Sequence, residues 1–168
     1  MSEQLGAAKM HGVWEVEHWR DGELLGVDIS DNLIVDQGLN HLLDVVLHGT
    51  TPVSPWYIGI FEGNYTPVAG ATAASITADS TESTAYTEST RVAYDEAAAA
   101  SKVTTNSASK ATFTCNATKT MYGAFLASAS AKSATTGTLL AVTRFTTTRA
   151  VVSADILLVT YTITAASA

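Results

Sequence analysis

At 168 residues with a single cysteine, the chain is long enough to bury a core without a disulfide framework or a structural metal. Its net charge of −7 is unevenly placed: residues 1–100 carry fifteen acids against Lys9, Arg20 and Arg91, a balance of −12, while residues 101–168 carry six bases against Asp155, a balance of +5. Halves of opposite sign attract within one fold or between copies, and bases spread singly without interleaved aromatics argue against nucleic-acid binding.

Met1–Lys9 has no basic stretch followed by an apolar core, so no secretory leader is expected, and residues 1–10 could form a flexible N-terminal arm. No apolar run approaches the ~20 residues that span a bilayer, so no membrane partner is expected and the chain reads as soluble, made in a cytoplasm. In that setting the triplets Asn64-Tyr65-Thr66 and Asn116-Ala117-Thr118 carry little weight as glycosylation acceptors.

Residues 11–30 predict a β-hairpin. Val13-Trp14-Glu15-Val16-Glu17-His18-Trp19 alternates imperfectly, Asp21-Gly22 supplies the turn, and Leu24–Ile29 returns. Asn32–Val35 reads as a brief strand. The helix expected next spans about 36–48: Asp36 caps it, Leu39, Leu42, Leu43 and Val46 recur at helical spacing, and Gly49 suits the left-handed stop. Its leucine face is expected to pack on the sheet. Pro55–Phe61 is nearly continuously apolar, as a central strand buried on both faces would be.

Residues 64–109 are rich in Ala, Ser and Thr and predict a long surface excursion, with a short helical piece near 71–80 and a strand at Arg91–Tyr94. Ala111–Asn116, Met121–Ala127, Gly137–Phe145 and Ile156–Thr164 then read as closely spaced strands. In the last, Val159, Tyr161 and Ile163 share one face. One helix and about eight strands in a single domain, 1–168, indicate a mainly β fold, an antiparallel β-sandwich or jelly-roll-like domain.

The sequence holds no nucleophile elbow, phosphate-cradling Gly-rich loop or His-Glu-x-x-His pattern, so neither catalytic residues nor a cofactor or metal site are expected. His41 and His48, seven apart, share a helix face that His18 could join, but single histidines without a metal are the simpler reading. Glu15 and Glu17 share a strand face, which reads as a solvated edge rather than a carboxylate pair across a cleft. Trp14, Trp19 and Trp56 suit core or interface anchors better than sugar platforms. Cys115, in the alternating run Lys110–Ala117, reads as a small buried side chain.

One pattern carries further. Asn32-Leu33-Ile34-Val35, Gly38-Leu39-Asn40, Leu43-Asp44-Val45 and Trp56-Tyr57-Ile58-Gly59 occur in order. Tyr86-Thr87-Glu88 with Thr90-Arg91, Gly123-Ala124-Phe125-Leu126, Gly137-Thr138-Leu139 and Val159-Thr160-Tyr161-Thr162 follow. This series, from about residue 12 to 164, resembles a family of small structural proteins of tailed bacteriophages. The resemblance implies a non-enzymatic virion component, and a head decoration (cement) protein on the capsid surface in particular. Its implied partners are the major capsid protein and further copies of itself, as a trimer or dimer. Interface candidates on that reading are Trp14 and Trp19 on the hairpin and Arg91 and Tyr94 in the excursion. A tail or tail-fibre-associated structural protein, or a carbohydrate- or host-binding β-sandwich module, are the alternatives.

Overall fold

The computed structural model describes residues 8–167. Two five-stranded antiparallel sheets face each other across the main core. In the first, β1 (Ala8–Arg20) lies between β2 (Glu23–Asp31) and β10 (Ile156–Ser167), and β10 pairs in turn with β6 (Val103–Thr105) and β7 (Ala111–Thr114). The second runs β3 (Leu33–Ile34), β9 (Leu139–Val151), β8 (Lys119–Ala127), β4 (Trp56–Phe61), β5 (Val92–Tyr94). The fold is the expected mainly β, sandwich-like domain, with ten strands and two helices among the described residues, the helices being α1 (Asp36–Leu47) and α2 (Ala73–Asp79).

The hairpin forms where Asp21 and Gly22 take φ of 50° and 83°, the paired left-handed conformation of a tight two-residue turn. Alternation then sorts the side chains. Trp14, Val16 and His18 turn inward, and Val13, Glu15, Glu17 and Trp19 turn outward. Trp14 stacks on Tyr161 of the neighbouring strand, ring centroids 4.1 Å apart and 19° from coplanar. Tyr94 donates its hydroxyl to the Tyr161 carbonyl at 3.0 Å, and Asn106 brackets β10 through Tyr161 N–H and Val159 C=O. Fully burying side chains of this size contributes roughly 1.5–3 kcal/mol each.

β4 is buried on both faces, as its unbroken apolar run predicts. Ile58 and Ile60 join the core between the sheets, while Phe61 joins a second cluster with Ala71, Ala73 and Ile76 on the far side of the second sheet. That cluster shows how deeply residues 64–109, expected as a surface excursion, are built in. Their first part, with α2, roofs the second sheet, and their later part supplies β5 and β6, one to each sheet. A Thr72/Ser75 capping box starts α2 within the segment expected to be helical.

Residues 8–10, assigned to a flexible arm, are strand: Ala8, Lys9 and Met10 pair with Ser167, Ala166 and Ala165. The remainder of that arm lies outside the described residues. No helix among the described residues is long and apolar enough to cross a membrane.

Charge segregation is resolved inside the fold. Lys110 meets Glu17 and Glu15, Lys119 meets Glu62 at 2.8 Å, and Arg149 lies 3.7 Å from Asp28, each a C-terminal base on an N-terminal acid. Arg20 and the lone C-terminal acid Asp155 make the converse pair at 2.7 Å.

Candidate docking surface

Three of the four interface candidates are sealed within the protomer, which corrects their assignment to a surface. Trp14 is fully buried in the Tyr161 stack, and Tyr94 is buried beside it. Arg91 is equally sealed. Its guanidinium forks onto Glu82, donates to the carbonyls of Ala129 and Ala134, and lies over the Phe125 ring. Aromatic residues dominate cores and interfaces alike, and arginine, common at interfaces, is buried in a core only when paired as here, so residue type alone does not separate the two.

Trp19 alone stays partly accessible. Its indole donates to Glu17 at 2.8 Å, and with Thr112, Ile156 and Leu158 it lines a shallow depression on the outer face of the first sheet. The same face exposes Leu24, Val27 and Ile29 on β2. Glu15 and Glu17 are there too, but β1 is an inner strand and Lys110 sits against both, so they form an ion-paired face rather than an edge. Lys110 holds the Glu17 carboxyl below its usual range, helped by the Trp19 hydrogen bond.

The histidines are not brought together. His18 is buried with Nε2 2.8 Å from Asp155, and His41 lies edge-on to Trp56. No group of three or more His, Cys, Asp or Glu suited to a metal occurs among the described residues. Cys115 is buried, and burial pushes its thiol up to about 12.

The most exposed apolar surface is on α1, opposite to expectation. Leu39, Leu43, Val46 and Leu47 are 41%, 58%, 75% and 78% exposed. The helix is seated instead through Gly38, its one fully buried residue, with His41, Leu42 and Val45 half-buried on the same side. Gly38 makes the seat possible because a Cβ there would lie 2.4 Å from the Leu140 carbonyl oxygen. Gln37 fixes the approach, its Oε1 accepting from Ala73 and Leu139 N–H at 2.9 Å each. Asp36 opens the helix without capping it: Val35 holds the cap position with no side-chain hydrogen bond.

Between this helix and the start of β1 runs a groove of about 510 Å³, lined by Ala8, Met10, Leu33, Ile34, Leu39 and Leu42 among others. Met10 and Leu42 also line a second hollow of about 340 Å³ beyond, with Trp56 and Ile163. An amphipathic period read from sequence locates an apolar stripe but not which side faces the protein. The usable signal was Gly38, a residue without a side chain in a first turn, marking the side of closest approach.

Comparison with known proteins adds no assignment: no protein-family model matches the chain, and no match is found among curated proteins.

Proposed function

We propose that the chain is a structural virion protein of a tailed phage, a head decoration protein that binds and stabilises the capsid exterior without catalytic chemistry. The observation that carries this reading is the exposed apolar face of α1, continuous with the groove beside β1. Side chains such as Val46 and Leu47 left at 75% and 78% exposure on a well-seated helix have no role in the protomer's own core, and contiguous apolar surface of this kind marks a contact with another protein. The ordered series of residues shared with small phage structural proteins supplies the kind of assembly. Weak contacts suffice for such a protein, because many copies on one shell multiply them. The outer face of the first sheet, with Leu24, Val27 and Ile29 beside acids and Lys110, is the surface available for contacts between copies in a dimer or trimer.

Immunogold labelling of purified virions with an antibody to this chain tests the reading. Gold spread over the heads is expected. Gold confined to tails moves the protein to the tail, and virions without label overturn a structural role.

A further inference from the structure

We infer that the groove between β1 and α1 accepts a strand: it takes an extended apolar segment, flanked by lysine or arginine, from the protein on which this chain assembles. This rests on the assembly reading above and names the surface and partner chemistry for it.

The backbone supplies the first half of the argument. Gly12 points its N–H at Asn32 Oδ1 (2.8 Å) and its C=O at Asn32 N–H (3.1 Å), so its hydrogen-bonding groups face away from β10. Strand geometry repeats every two residues, which turns the N–H and C=O of Met10 and Ala8 to the same side. There β2 has already left: its pairing with β1 ends at Val13–Asp31, and the chain crosses at Asn32 to the other sheet as β3. Among the described residues nothing pairs with that edge of Met10. An uncovered strand edge bordering an apolar groove is the geometry of strand addition, in which main-chain bonds give affinity and alternate side chains enter the groove.

Charge selects the occupant. Asp31, next to Asn32 of the lining, and Asp36, on the Leu39/Leu43 side of α1, stand exposed beside the groove; among the described residues its lining includes no lysine or arginine, and its one histidine, His11, lies 3.4 Å from Asp31. A segment with basic flanks meets these acids, whereas a second copy docked through the same surface would set acid against acid.

The test uses the whole chain and a fluorescein-labelled peptide, Lys-Val-Thr-Val-Thr-Val-Lys, with a Glu-flanked twin. Anisotropy titration is expected to show saturable binding, roughly tenfold tighter for the Lys-flanked peptide at low ionic strength, the gap closing with salt. Met10→Pro removes an N–H that pairs with nothing among the described residues and is expected to weaken binding by about tenfold or more, as is Leu43→Glu at an exposed position. Absence of binding, equal affinity for both peptides, or indifference to both substitutions overturns the proposal. If deleting residues 1–7 is needed for binding, the chain's own N-terminal segment is the occupant and the proposal falls. It falls equally if sedimentation shows a dimer that Leu43→Glu splits, because the occupant is then a second copy. Virion labelling is read separately: labelled heads without peptide binding defeat only the groove, and peptide binding with unlabelled virions defeats only the decoration role.

Discussion

Arg91 forks onto Glu82 with both side chains 1% exposed, Nε and Nη2 donating at 2.8 and 2.7 Å. The pair pins two distant stretches together. Arg91 also donates to carbonyls of the 128–138 loop, and Ser133 N–H donates to Glu82. Arg91→Met leaves a buried carboxylate without its partner and is expected to cost about 3–5 kcal/mol. Arg91→Lys, lacking the planar fork, should recover little, whereas adding Glu82→Gln to Arg91→Met should recover part. Urea unfolding reads all three, and a loss under about 1 kcal/mol for Arg91→Met would sink the pinning role.

Asp155 gives the stability its acid limb. Its carboxylate accepts from Arg20 Nε and Nη2 and from Val152 N–H, with His18 Nε2 at 2.8 Å. The Arg20 guanidinium first, then the Val152 and His18 contacts, hold this carboxyl well below the usual carboxylate range against the opposing effect of burial. A folded-state pKa below the unfolded value of about 3.9 gives stability that is present above that pH and lost as pH falls. Unfolding free energy measured from pH 6 down to pH 2 should therefore fall on the acid side. Asp155→Asn should be less stable at pH 6 with a shallower acid limb. Parallel curves for the two proteins would refute the assignment.

Gly38→Ala separates the two sides of α1. In an open helix the change would stabilise by up to about 1 kcal/mol. Here the added Cβ meets the Leu140 carbonyl oxygen at 2.4 Å and its Cα at 2.8 Å, so a loss of about 1–3 kcal/mol is expected. Leu43→Ala, on the exposed side, should stay within about 0.5 kcal/mol. Thermal unfolding with the reverse ranking would mean the helix is seated the other way.

Cys115 reports on opening of the core. With its thiol raised to about 12 by burial, and further by the Asp155 and Glu88 carboxylates, it carries almost no thiolate at pH 8. A disulfide-exchange reagent should label the native protein only as fast as it unfolds, and the denatured protein at once. Prompt native labelling would contradict the burial.

The strands were legible because their signals are local. Asp21-Gly22 announces its own turn, and the unbroken Trp56–Phe61 run announces a strand covered on both faces. The closing alternation of Val159 and Tyr161 likewise marks their shared inward face. Parts of the ordered series also have structural explanations: Gly59 and Gly123 leave the space that Phe125 and Phe61 occupy across the strand pairs. What was not legible depends on partners far along the chain. Nothing near Arg91 indicates that Glu82 and the 128–138 loop would enclose it, so a guanidinium in a polar stretch reads as surface. Trp14 reads as an anchor until Tyr161, nearly 150 residues away, is seen to cover it. The groove escaped for the same reason, since it exists only where β2 stops accompanying β1 and α1 crosses the gap.

β10 pairs with β1, β6 and β7 and holds the first sheet together. The β1–β2 hairpin therefore has no strand to join on its β10 side until the chain has been made through Ile156–Ser167. Until then the inner faces of Trp14 and Val16 await a partner, so closure of this sheet is a late, long-range step in folding and is governed by topology. Shortening the chain before Ile156 would remove that common partner, and with it the seat of the first sheet rather than a single edge.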